Sequence, residues 1–274
     1  MNILIIGGNR FVGRDLVRIY ADWEETEVIY VFNRSGKGHY QHKKVRPIVG
    51  DRNHGPDLKR IPWGYVDYVV DMCLYKPSQF RKILKYVKKK SYTFVSSIAS
   101  QLDPKKSGFG EYAEDKLNLE KTIREEIWKS CIVRPTYILS SPGVRSHIER
   151  DQYFLDCLYY GIPIQIDGDG TAEMSFVFAD DVVHTLGTML FHQWNDSLDP
   201  QKREVNLASE PITVVDLIKI FERHSKRKAE LFFNSPDSPF DNKTVVFPAT
   251  IQPTYVTSLD EGVKALVEEY EASV

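Results

Sequence analysis

The first thirteen residues, MNILIIGGNRFVG, constrain this chain more than any other stretch. Residues 2–6 form a short apolar run rich in β-branched side chains, the pattern of a strand buried on both faces. Gly7 and Gly8 end that run, and residues 11–20 then carry Phe11, Val12, Leu16 and Ile19 at helical spacing. A strand that turns through glycine into a helix N-terminus presents backbone N–H groups and the positive end of a helix dipole. That geometry receives a dinucleotide pyrophosphate. The frame is Gly-x-x-Gly-x-x-Gly from Gly7 to Gly13, except that Arg10 stands at the middle position. The plainer alternative is a tight strand-to-helix turn that binds nothing.

Beyond this turn, strands are expected at 27–32, 45–49, 66–70, 92–95 and 131–134, with helices at 77–89 and 111–129. Strands alternating with helices indicate an α/β fold, a doubly wound parallel (Rossmann) sheet covered on both faces. From about residue 140 the rhythm changes. A turn is expected at 140–143, a helix at 151–160, a glycine-rich strand and turn at 161–170 and a strand at 176–178. A helix at 182–191, with Asp180 or Asp181 as N-cap, precedes a short strand at 204–207. Thr213 with Asp216, and Ser258 with Glu261, open two closing helices, and 236–253 is loop-rich. The expected plan is a dinucleotide-binding domain from 1–140 and 174–208, with a small discontinuous substrate lobe from 141–173 and 209–274.

The formal net charge of −2 lacks the basic surplus of a strong nucleic-acid binder. Cys73, Cys131 and Cys157 lie far apart and are odd in number. A disulfide framework or Cys-rich zinc site is therefore not indicated, and a reducing, cytoplasmic setting fits. The N-terminal run is too short and lacks the basic start of a signal peptide. No stretch approaches the roughly 18 apolar residues that span a bilayer, so no membrane partner is expected.

About 20 positions past the last glycine, an acidic residue ordinarily binds the adenosine ribose. Asn33 stands there, followed by Arg34. A carboxylate would repel a 2′-phosphate, whereas an amide beside a guanidinium accepts one, so the expected cofactor is NADP, with NAD second. Arg10 is a second cation nearby and reads as a contact to the pyrophosphate or the 2′-phosphate, or as an obstruction to it. For Arg34 the alternative is a solvated loop position.

Tyr112 and Lys116 are spaced i, i+4, which places phenol and ammonium on one helix face. A nearby ammonium favours the phenolate and lowers the tyrosine pKa toward a usable value. The same spacing recurs at Tyr40–Lys44 and Tyr86–Lys90, so only its place distinguishes Tyr112: it opens a long helix after the fifth strand. Ser96 and Ser97 end that strand, at the sheet edge where open parallel sheets bind ligands. Ser97 is favoured as a hydroxyl that orients a substrate oxygen; the alternative is a helix or turn cap.

The order of glycine turn, Gly50-Asp51, Ser-Ser, Tyr-x-x-x-Lys and Arg134-Pro135 resembles the extended short-chain dehydrogenase/reductase family. Within it, the NAD-dependent epimerase/dehydratase group is the more specific likeness. The segment Phe-Val-Phe-Ala-Asp-Asp at 176–181 is similar to that family's return segment. The resemblance implies hydride transfer to or from a nicotinamide ring on a small molecule, with a nucleotide sugar among the candidates. It implies Tyr112 as catalytic acid/base, Lys116 as binder of the nicotinamide ribose and modulator of Tyr112, and Ser97 as the substrate-orienting hydroxyl. Asp51 is expected near the adenine. Gly7, Gly8, Arg10, Phe11, Val12, Gly13, Asn33, Arg34 and Met72 complete the expected cofactor set.

The form Gly-Gly-x-Arg-Phe-x-Gly resembles a branch that includes the chloroplast stem-loop RNA-binding proteins, and a non-catalytic or RNA-binding protein on this fold is the alternative function. Lys76, Arg81, Lys82, Lys85, Lys88, Lys89 and Lys90 make one helix basic, and Glu111, Glu114, Asp115, Glu120, Glu125 and Glu126 make another acidic. Such charges pair within one chain or across a homodimer; monomer and homodimer both remain open. His39 and His42 lack a ligand cluster, so no metal site is expected. Arg145, His147 and Arg150 read as surface charge or as contacts to a substrate diphosphate.

Overall fold

The computed structural model of the chain describes residues 1–36, 38–103, 105, 109–140, 150–199, 203–235 and 257–273, without the side chains of 150–152. Arg145, His147, the Arg150 side chain, most of the 140–143 turn and the loop-rich 236–253 lie outside the described residues.

Two compact units emerge. The first comprises Met1–Pro135 and Val182–Asn206, the second Thr136–Asp181 and Leu207–Val274. In chain order the first begins β1 (Asn2–Ile6), α1 (Phe11–Asp22), β2 (Val28–Asn33), β3 (Val45–Val49) and α2 (Gly55–Leu58). It continues β4 (Tyr68–Asp71), α3 (Pro77–Val87), β5 (Ser91–Val95), α4 (Gly110–Glu126) and β6 (Ser130–Pro135). Then follow β7 (Tyr137–Leu139), α5 (Arg150–Tyr160), β8 (Ile164–Gln165), β9 (Glu173–Met174), β10 (Phe176–Phe178), α6 (Ala179–Trp194) and β11 (Glu204–Leu207). The chain closes with β12 (Ile212–Thr213), α7 (Val214–Ser225), β13 (Leu231–Phe232) and α8 (Leu259–Ser273).

The main sheet has seven strands in the order β11-β6-β5-β4-β1-β2-β3. Its pairings are parallel, with Ile6 opposite Phe32 on one side and Asp71 on the other. This is the expected doubly wound fold. The strand order reverses at β1, so the crevice at the topological switch lies beyond the carboxyl ends of β1 and β4. Those ends carry Gly7 and Met72.

Alternation sorts the side chains to two faces. On one, Leu4, Ile6 and Phe94 pack with Phe80 and Ile83 of α3 and Leu119 of α4. The spacing predicts an apolar stripe at Phe80, Ile83, Leu84 and Val87 of α3, and all of it is buried except the half-buried Leu84. Tyr20 of α1 is fully buried, and its hydroxyl donates to the Leu186 carbonyl of α6.

The second unit has its own core, in which Phe154, Phe176, Leu217, Phe221 and Val263 come together. β10 pairs parallel with β7, and β12 antiparallel with β9. Residues 136–140, 174–181 and 207–208 fall in this unit, whereas 1–140 and 174–208 were expected to form the first. Thr213 caps α7 by accepting the Asp216 amide at 3.0 Å, and Ser258 accepts the Glu261 amide at 3.2 Å, as expected. Asp180 and Asp181 are not the N-cap of α6: the helix starts at Ala179, and both lie in its first turn. The Asp181 carboxylate there accepts the Thr257 hydroxyl at 2.8 Å.

Glu120, one of the acids that make α4 acidic, is fully buried and pairs within the chain. Its carboxylate accepts from Ser96 and Ser100 at 2.6 Å each, from Arg134 Nε and Nη2 at 2.8 Å each, and from Arg124 at 3.1 Å. One carboxylate thus ties α4 to the ends of β5 and β6. Removing it leaves the buried Arg134 short of a partner. Glu120→Ala should lower stability by about 3–5 kcal/mol, read as a shift in urea unfolding followed by circular dichroism.

Candidate functional site

The site is built on the first unit's strand ends. Gly7 sits at φ +97°, in the left-handed region that glycine adopts without strain, and its amide donates to the Phe32 carbonyl at 3.0 Å. Gly13 serves a different need: a Cβ there would lie 2.3 Å from the Gly7 carbonyl oxygen, so α1 reaches the turn only without a side chain. Gly8 and Val12 are buried, which leaves only their backbone to face a ligand.

Arg10 is exposed, with extended backbone at φ −144° and ψ 157°, conformations open to any residue. Phe11 instead takes a left-handed φ of +52°, which costs a non-glycine residue about 1–2 kcal/mol. Arg10 occupies the N-cap of α1 but makes no side-chain cap hydrogen bond, and the first turn holds no acid. Neither the N-cap side chain nor a first-turn acid thus competes with an anion for the amides at this helix start. Together with the close approach at Gly13, this suits a dinucleotide pyrophosphate.

Asn33 closes β2, but its amide is engaged: Asn33 Nδ2 donates to Asn9 Oδ1 at 2.8 Å, and Asn9 Nδ2 donates to the Ser35 carbonyl at 2.8 Å. The pair pins the end of β2 to the glycine turn. Arg34 is exposed. Asp51 is half-buried, its Oδ1 accepting the Asn53 amide at 2.7 Å. Met72 donates its amide to the Ile6 carbonyl at 2.9 Å and packs against Gly7, where a Cβ would meet Met72 Cβ at 3.2 Å.

At the other end of the crevice, α4 holds Tyr112 in its first turn and Lys116 one turn later. Lys116 is buried, and its ammonium donates to the Leu74 carbonyl at 2.9 Å and the Val95 carbonyl at 3.3 Å. Three aromatic faces surround it, Phe94 at 4.8 Å, Tyr75 at 5.3 Å and Tyr112 at 5.7 Å from ring centroid to nitrogen. Burial pulls the ammonium pKa down to about 8, with Asp71, Cys73 and Glu120 opposing that shift.

The Tyr112 phenol pKa is raised, by burial first, with the neighbouring Ser97 side chain pulling it partly back. The expectation that Lys116 lowers this pKa does not hold here. The ammonium lies over the ring face and is turned to two backbone carbonyls. Ser97 also caps the short 3-10 turn Ile98–Gln101 by accepting the Ala99 amide at 3.3 Å, so the cap reading of its hydroxyl is realised. Ser96 is committed to Glu120, which leaves Ser97 as the serine at the site.

The structure thus brings Ser97, Tyr112 and Lys116 together, and links Lys116 through Leu74 to the strand end that packs on Gly7. Several participants escaped the sequence reading. Asn9, Tyr75 and the buried Arg52 carry no pattern that marks them, whereas Asp71, a charge ending an otherwise apolar strand, was a visible signal. On the basic helix, Lys76 pairs with Glu111 at 2.5 Å and Asp115 at 2.7 Å, and Lys88 pairs with Glu126 at 2.8 Å, within one chain. Lys82 and Lys90 donate to the backbone carbonyls of Asn53 and Val66, each at 2.6 Å. Much of the charge that an RNA backbone would need is therefore engaged internally. Among the described residues, no helix is long and apolar enough to cross a membrane.

No family model matches the chain, and no curated protein matches it in sequence. Solved structures do. A dTDP-glucose 4,6-dehydratase from Bacillus anthracis, in complex with NAD, superposes with a TM-score of 0.76 at 15% identity, covering 99% of this chain and 97% of that one. A UDP-glucose 4-epimerase from Thermotoga maritima, with UDP-glucose, gives 0.73 at 19% identity over 100% and 99% of the two chains. A UDP-glucuronic acid 4-epimerase from Bacillus cereus, in complex with UDP-glucuronic acid and NAD, gives 0.74 at 16% identity over the whole of both. At these identities the likeness establishes the fold, that of the NAD-dependent epimerases and dehydratases.

The lowered pKa of Lys116 makes a test of the site's electrostatics. The unfolded chain holds this proton to about the ordinary 10.5, the folded chain only to about 8. The unfolded state thus binds more protons in that window, and stability should rise as pH climbs through it. Lys116→Met should remove that rise, as measured by urea midpoints across the window.

Proposed function

We propose that the first unit binds a nicotinamide dinucleotide, NADP in preference to NAD, and that the chain is an epimerase, dehydratase or reductase acting by hydride transfer. Its substrate is a small hydroxylated molecule, and a nucleotide sugar is the first class to try. The observation that carries this reading is the convergence of Ser97, Tyr112 and Lys116 on one strand edge, linked by way of Leu74 to the glycine turn. The folds with which the chain superposes include proteins solved with NAD and UDP-sugars, which supports the same substrate class. In this reading the second unit serves as the substrate lobe.

The amides at the start of α1 hold the pyrophosphate, and Arg10 and Arg34 supply positive charge for it and for a 2′-phosphate. Preference for NADP is supported by Asn33 and Arg34 standing where a carboxylate would select NAD. Lys116 has two N–H groups on carbonyls, leaving the third for a ribose hydroxyl. The bound nicotinamide supplies a hydride acceptor or donor. Ser97 fixes the substrate oxygen, and Tyr112 takes or returns its proton. A raised phenol pKa keeps Tyr112 protonated near neutrality, ready to act as the acid.

Assayed against a panel of nucleotide sugars with NADP, Tyr112→Phe should lower turnover by about 10²–10⁴-fold while NADP affinity stays nearly unchanged. Retained turnover in that variant would sink the assignment. Arg10→Gly should weaken NADP binding about tenfold, seen as a higher Kd in calorimetry. Tighter binding would instead identify Arg10 as an obstruction.

A further inference from the structure

Residues from three strands meet beside the glycine turn. Arg52 follows Asp51 just past β3, Asp71 ends β4, and Tyr92 lies inside β5. Arg52 grips Asp71 with both arms, Nη1 to Oδ1 at 2.8 Å and Nη2 to Oδ2 at 2.7 Å. The Tyr92 hydroxyl donates to the same carboxylate at 2.9 Å, and the Cys73 amide donates to it at 3.3 Å. Arg52 is 7% exposed, and Asp71 and Tyr92 are fully enclosed. Cys73 Sγ in turn donates to the Ile6 carbonyl at 3.7 Å and lies 3.2 Å from where a Gly7 Cβ would be.

A buried ion pair is a poor way to gain stability, because well-packed apolar residues of similar volume often do as well or better. What a bidentate guanidinium–carboxylate pair adds is fixed geometry, since its two parallel bonds set both planes and their separation. Here it joins the loop after Asp51 to the strand end that precedes Met72, and through Cys73 to Gly7. The pair is part of neither the glycine turn nor the Ser97/Tyr112/Lys116 group. It lies under the part of the crevice bounded by Asp51, Met72 and Gly7.

We infer that Arg52 and Asp71 form a positioning pair for the adenosine half of the dinucleotide, holding Asp51 and Met72 in register against Gly7. This rests on the dinucleotide reading above. Neither Arg52 nor Asp71 hydrogen-bonds Tyr112 or Lys116, and their opposed electrostatic effects on Lys116 are removed together when both charges go, so the loss divides by ligand fragment.

The test titrates NADP, ADP and nicotinamide mononucleotide into the wild type and into the double variant Arg52→Met/Asp71→Leu. That variant removes both charges together, because a single replacement strands the other in the core. With an unfolding midpoint near that of the wild type, the variant should lose about tenfold or more in affinity for NADP and ADP and keep its affinity for nicotinamide mononucleotide. Unchanged ADP binding, or equal losses for both fragments, would overturn the positioning role while leaving the dinucleotide reading in place. A wild type that binds neither NADP nor ADP overturns both. Should the double variant fail to fold, Tyr92→Phe decides, since it deletes one hydrogen bond to Asp71 and keeps the pair. A smaller loss confined to NADP and ADP supports the inference, and unchanged affinity for both overturns it.

Discussion

A single carbonyl oxygen governs the architecture of the first unit. The Gly7 oxygen occupies the space into which any side chain at residue 13 would project, 2.3 Å from the position of a Cβ. With glycine at 13, α1 packs down onto the end of β1, and β1 takes the centre of the sheet between β2 and β4. The switch in strand order then falls beside a helix start whose side chains leave its amides uncapped. Without that contact, helix and turn separate, and the crevice has no floor.

Charge inside the sheet is placed with equal economy. Among the described residues of the first unit, buried ionic groups are matched near the strand ends: Asp71 with Arg52 and Tyr92, Glu120 with Arg134, Ser96 and Ser100, and Lys116 with two carbonyls and three rings. In a medium of low dielectric, such groups must be matched or they shift their protonation. Lys116 does shift, because carbonyls and ring faces compensate its burial less fully than a carboxylate would. Tyr112 shifts the opposite way for the same reason, with the Ser97 side chain as the counterweight. One helix therefore carries an ammonium that loses its proton readily and a phenol that holds its own.

Much of this fold was legible in the sequence because its signals are local. The β-branched run at 2–6, the glycines at 7 and 13, the stripe at Phe80, Ile83 and Val87, and the caps at Thr213 and Ser258 each act within a few residues. The Tyr112–Lys116 spacing was legible too, but its electrostatic consequence was not. Whether an ammonium meets a hydroxyl or a ring face depends on Leu74 and Val95, which are distant in sequence. That Glu120 is buried was not legible, because helical spacing does not reveal that Ser96 and Arg134 meet it. Arg52 and Asp71 come from different strand ends, and the parallel registers that link β3 through β2 and β1 to β4 align those ends. The boundaries near 140 and 174 moved together, since β7 and β10 pair with each other in a separate sheet rather than joining the main one.

Calorimetric titration of the intact chain with NADP and NAD tests the first-unit site most directly. One saturable site, tighter for NADP, is the expected result. No binding of either dinucleotide would contradict the assignment of the glycine turn, and with it the reading of Ser97, Tyr112 and Lys116 as a catalytic group.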